Sequence, residues 1–144
     1  QIAARTRALA KKKEAVAAAE ALELRIEPEP WQQMQDKAIA HFNSRLRRSQ
    51  SPASRKTSKA RLDRLTVNYL RHKQTSYEEE LKEFKGVVGV GEAYLVVRNR
   101  ILDLIADTYP QLRDECDRQK FEAPELPEGV TLPDGLQLPD AVTR

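Results

Sequence analysis

The chain has 144 residues, 40% of them apolar and a third charged, which fits one folded domain rather than a disordered segment. No stretch approaches the roughly 18 consecutive apolar residues of a membrane span, and the single cysteine, Cys116, excludes an internal disulfide and a thiolate metal cluster. The net charge of +3 conceals an asymmetry: residues 45–73 hold ten Lys or Arg against one acid, Asp63, whereas 74–120 net −3 and 121–144 net −4.

Residues 1–24, QIAARTRALAKKKEAVAAAEALEL, consist largely of strong helix formers. Ile2, Leu9 and Val16 recur every seven residues with mostly alanine between them. So narrow a stripe buries little area, and the spacing predicts a helix that needs a protein partner or a second copy. PEP at 28–30 should end it, because proline removes a donor and clashes with the preceding turn. Trp31, Met34, Ala38, Phe42 and Leu46 then follow at steps of three and four, the pattern of an amphipathic helix.

SQSPASRKTS at 49–58 reads as a polar loop, after which a helix restarts near Thr57 or Ser58 with Leu62, Leu65, Tyr69 and His72 on one face. Thr75 and Glu78 have the spacing of a capping box, in which each side chain satisfies a free backbone N–H. A break at Gln74–Ser76 is therefore preferred over one continuous helix. Gly86 suits a helix C-cap. GEAYLVVRNRILDLIADTYP is the most apolar stretch, with Tyr94, Val97, Ile101, Leu104 and Ile105 in one stripe, and should be the central helix. Pro110 fits the first turn of a last short helix. The tail repeats LPEGVT, LPDGLQ and LPDAVT. Its Leu-Pro-Asp-Gly turn predicts either a small hairpin over Val130–Leu138 or an extended acidic linker. The whole reads as an all-α fold, a small bundle of four to five helices with a turn-rich C-terminal tail. Its expected segments are an alanine-rich helix (1–27), a helical core (28–121) and the tail (122–144).

The strongest functional signal is the basic block: Arg45, Arg47, Arg48, Arg55, Lys56, Lys59, Arg61, Arg64, Arg71 and Lys73. Cations on helix ends and a loop suit phosphate oxygens, and neutralising several phosphates releases condensed counterions. Neighbouring Ser and Thr add hydroxyl donors. The leading expectation is a non-enzymatic protein gripping the phosphate backbone of nucleic acid. The alternative is a structural or adaptor subunit whose basic block meets an acidic protein surface, with the N-terminal helix and the tail making protein contacts.

Other chemistries fit less well. KGVVGVGEAY has the order G-x-x-G-x-G after a helical pattern, neither a dinucleotide nor a phosphate-loop motif. A helix-turn-helix reading with VVRNR as recognition helix leaves too narrow a polar face, and Glu92 would repel phosphate. His72, Tyr77 and Glu78–Glu80 are close enough to suggest acid–base chemistry, but a core or helix-end histidine explains the spacing better. His41 and His72 alone make no zinc site. Cys116, among acids that would raise its pKa, reads as a small filler on the last helix. No cofactor or metal is expected. The lone cysteine suits a cytoplasmic, reducing location, and the opening Gln1 suggests a processed or trimmed start.

Overall fold

The structure, a computed structural model, describes residues 2–84 and 90–123. Helix α1 spans Ile2–Ala21. Its C-terminal half is covered: Ala15 and Ala19 are buried where α1 packs on helix α5 (Val90–Thr108). Ile2 and Val16 are not the packing face, since Ile2 is 83% exposed and Val16 only half-buried. Alanines let the two helices approach closely. Helix α1 stops at Ala21, short of the prolines. There the Arg100 guanidinium donates to the Ala19 and Leu22 carbonyls (2.6 and 2.7 Å), satisfying the groups a helix end leaves free.

The chain then runs extended beside residues 74–76. Glu27 N–H donates to the Gln74 carbonyl (2.9 Å) and Ser76 N–H to the Arg25 carbonyl (3.0 Å), around an isolated bridge between Ile26 and Thr75. Helix α2, Trp31–Ser44, buries Met34 and Ala38 at the expected spacing. Its entry is fixed by the Tyr109 hydroxyl, which accepts from Glu29 N–H and donates to the Glu29 carbonyl, both at 2.8 Å.

Helix α3 spans Lys59–Tyr69 and buries Leu62 and Leu65. It passes into a widened π turn, Leu70–Gln74, and the chain becomes extended at Thr75 before the short helix α4, Tyr77–Leu81. The expected break at Gln74–Ser76 is present. The capping box is not made: Ser76 is the N-cap of α4, and no side chain makes a cap hydrogen bond there. The Thr75 hydroxyl accepts from Tyr77 N–H (3.2 Å), but the Glu78 carboxylate binds the His72 ring (2.7 Å).

Helix α5 is central, as its apolar pattern predicts: Ala93, Tyr94, Val97, Ile101, Leu102, Ile105 and Ala106 are all buried. It packs against α1, α4 and helix α6, Arg113–Gln119, which continues from a 3-10 turn opened by Pro110. Main-core residues from these helices join Met34, Val67, Leu70 and Tyr77, while Ala38, Ala53, Leu62 and Leu65 form a smaller cluster between α2 and α3. The architecture is a small all-α bundle, with six α-helices among the described residues. None of these helices is long and apolar enough to cross a membrane. The Gly86 turn and the Val130–Leu138 hairpin lie outside the described residues.

Candidate nucleic-acid interface

Ala38 and Leu65 of the smaller core cluster help line a cleft of about 610 Å³ between the C-terminal half of α2 and α3. Helix α2 supplies Ala38, His41 and Phe42; α3 supplies Arg61, Arg64, Leu65, Asn68 and Tyr69. The α2–α3 loop adds Arg45, Arg47 and Gln50, and beyond α3 come His72, Lys73 and Glu78. Arg61, Arg64 and Asn68 follow the helical repeat along one side of α3. The π turn adds a residue to that repeat, so the rim continues through His72 and Lys73.

The α2–α3 loop is polar in sequence but pinned in space. The Asn43 side chain donates to the Ala53 carbonyl (2.9 Å) and accepts from Ala53 N–H (2.8 Å), closing a ten-residue span. Ala53 is buried at 4% exposure, so the clamp satisfies backbone groups that water does not readily reach. Within the span, Arg47 N–H donates to Gln50 Oε1 (3.0 Å) and Gln50 N–H to the Arg47 carbonyl (3.0 Å). Arg61 donates to the Ser51 carbonyl, and its guanidinium lies 5.2 Å from the centroid of the Phe42 ring. The loop that carries Arg45 and Arg47 is thereby tied to both helices.

Of the ten cations in the basic block, five line the cleft: Arg45, Arg47, Arg61, Arg64 and Lys73. Among the described residues, no carboxylate lies within 4.0 Å of the charged groups of Arg47, Arg64 or Lys73. The other five sit elsewhere. Arg48 and Lys56 are exposed on the loop. Arg55 makes two 2.7 Å bonds to Asp36, and Lys59 bonds Asp63 at 2.6 Å, a contact that raises the Lys59 pKa above its ordinary value. Arg71 is buried at 5% exposure, its guanidinium 5.4 Å from the centroid of the Tyr77 ring and donating to Gln119 Oε1 (3.2 Å). It ties α6 to the π turn and does not line the cleft.

His72 is half-buried rather than a core residue. Its Nδ1 is 2.7 Å from Glu78 Oε1 and its Nε2 is 3.3 Å from Arg71 Nη2. A guanidinium can only donate, so in the neutral ring Nε2 accepts and Nδ1–H donates to Glu78. Both ring nitrogens are engaged, which positions the ring at the cleft edge and favours a structural role over proton transfer. Sequence reasoning did not assign His41, Phe42, Asn68 or Tyr69 to this site. Asn68 was accessible in principle, four residues after Arg64 on the same helical side. The approach of His41 to Tyr69 (ring centroids 5.5 Å) spans two helices and has no local signal.

The arginines of the apolar central helix are used internally. Arg98, only 1% exposed, donates to the Lys120 carbonyl (3.0 Å) and the Glu122 carbonyl (2.7 Å), and Arg100 closes α1. Glu92 pairs with Lys12 at 2.8 Å. A helix so engaged does not offer VVRNR to a DNA groove. Cys116 is fully buried, and burial first, with Asp117 and Glu115 adding to it, pushes its thiol up to about 12. Among the described residues no group of three or more His, Cys, Asp or Glu side chains is placed to hold a metal ion. No family model, curated protein or solved structure matches the chain, so its functional reading rests on the cleft's own chemistry.

Proposed function

We propose that this protein is a non-enzymatic nucleic-acid-binding protein that grips the phosphate backbone through the cleft between α2 and α3. The observation that carries the reading is convergence: Arg45 and Arg47 from the loop, Arg61 and Arg64 from α3, and Lys73 from the π turn border one concavity. Cations held in a cleft focus potential and attract a polyanion, and arginine forks match phosphate oxygens. The engaged His72 ring supports binding over catalysis. A cytoplasmic place of action goes with such a ligand and with the free thiol of Cys116.

The test is fluorescence anisotropy of labelled oligonucleotides at low salt. Joint replacement Arg64→Ala and Lys73→Ala should weaken binding at least tenfold, while Lys59→Ala and Arg55→Ala, whose cations already pair with Asp63 and Asp36, should change it less than twofold. No binding by the intact chain, or equal loss from both pairs of variants, rejects the cleft as the interface.

A second reading, a structural or adaptor subunit, is favoured by the exposure of residues 2–7 of α1, including Ile2. On that reading removal of residues 2–10 or of 122–144 abolishes a protein contact while helical circular dichroism from the core persists. Retention of every protein partner by both truncated chains counts against it.

A further inference from the structure

We infer that the cleft selects single-stranded over duplex nucleic acid by stacking an unpaired base inside it. The inference rests on the nucleic-acid reading above and deepens it. Duplex readers offer a protruding helix or ribbon to a groove about 12 Å wide. Here the cations surround a concavity, and its 610 Å³ lies in the size range that accepts a small-molecule ligand. A base enters such a cleft only when it is free of a paired strand.

The lining supplies what an inserted base needs. Phe42 and Tyr69 are half-buried rings that contribute to the cleft wall beside Leu65. The Arg61 guanidinium lies over Phe42, tethered by the Ser51 carbonyl, and so presents a flat cationic platform. The Tyr69 ring is fixed from its far end, where its hydroxyl accepts from Gln74 Nε2 at 2.9 Å. Rings held in place lose little freedom when a base stacks on them. Aromatic faces combined with a backbone-tracking set of cations are the recurring solution for single strands, because every base has a π face. Asn68, exposed on α3 beside Tyr69, offers an amide donor and acceptor to a base edge. Arg47, Arg64 and Lys73 remain for the flanking phosphates.

The experiment compares the intact chain's affinity for four labelled probes at one salt concentration: oligo-uridine, oligo-thymidine, a duplex DNA of equal length, and base-free polyphosphate. The expected result is single strands of either sugar bound at least tenfold tighter than duplex or polyphosphate. Tyr69→Leu should lower single-strand affinity about tenfold, the effect of losing one base stack, and so remove most of the preference for single strands. Tyr69→Phe, which keeps the ring, should retain the preference. Equal affinity for single strand, duplex and polyphosphate overturns the inference and leaves the phosphate-gripping reading standing. Absence of salt-sensitive binding to all four probes overturns both. The preference is read first on the unsubstituted chain, so it is decided even if a variant loses its fold.

Discussion

Replacement of Asn43 by Ala removes both bonds that hold the α2–α3 loop to its helix. A net backbone hydrogen bond contributes about 1 kcal/mol, and leaving a buried partner unsatisfied costs about 1–3 kcal/mol. Two bonds to the buried Ala53, with some access of water to the opened loop, give a loss of about 2–3 kcal/mol. For a chain of this length that corresponds to a fall of roughly 6–12 °C in Tm. Asn43→Asp keeps the acceptor for Ala53 N–H and loses the donor, so it should cost about half as much. Circular dichroism melts give the stability. Limited trypsin digestion gives the mechanism, because Arg47 and Arg48 lie within the clamped span and cleavage there should accelerate several-fold in Asn43→Ala. Oligonucleotide affinity should fall too, since Arg45 and Arg47 lose their placement. A stability loss under about 0.5 kcal/mol, with unchanged cleavage, would refute the idea that this clamp organises the site.

Other consequences of the structure are equally direct. Arg98→Met keeps volume but leaves the Lys120 and Glu122 carbonyls without their donor, and should cost about 2–4 kcal/mol in urea unfolding; Arg100→Ala, half-buried, should cost less and fray the end of α1. Burial alone would raise the pKa of Glu115, but hydrogen bonds from Arg118 and Gln119 outweigh it and hold the carboxyl below its ordinary 4.5. A depressed folded-state pKa means stability present above pH 4.5 and lost as pH falls through the lower folded value; urea midpoints should drop across that acid window, and less steeply in Glu115→Gln. The Cys116 thiol, pushed up to about 12, should not react with a thiol reagent at pH 8 until the protein unfolds. Fast labelling of the native chain would contradict its burial.

Much of the fold was legible locally. Met34 and Ala38, Leu62 and Leu65, and Val97, Ile101 and Ile105 recur at helical spacing, and each group is buried. The break after Gln74 was legible from Thr75 and Glu78, although Glu78 prefers His72 to the backbone. Formal charge alone marked the basic block, but it could not sort the cations within it. Arg71 and Arg64 are seven residues apart and look equivalent on a helical wheel. The π turn and the approach of Gln119 bury the first, while the second stays exposed at the cleft. Arg98 likewise lies in a greasy helix because the end of α6, more than twenty residues away, presents bare carbonyls to it. The cleft itself depends on how α2, the pinned loop and α3 meet, and that geometry has no counterpart in local spacing.

The salt dependence of oligonucleotide binding tests the central claim most directly. Each phosphate neutralised on a single strand contributes about −0.7 to the slope of log K against log[salt]. Engagement of Arg47, Arg64 and Lys73, the cleft cations left for the flanking phosphates, predicts a slope of about −2.1 for the intact chain. The Arg64→Ala, Lys73→Ala variant should give about −0.7, and Lys59→Ala should leave the slope unchanged. A slope near zero, or one that Lys59→Ala flattens and the cleft variant does not, would contradict the account.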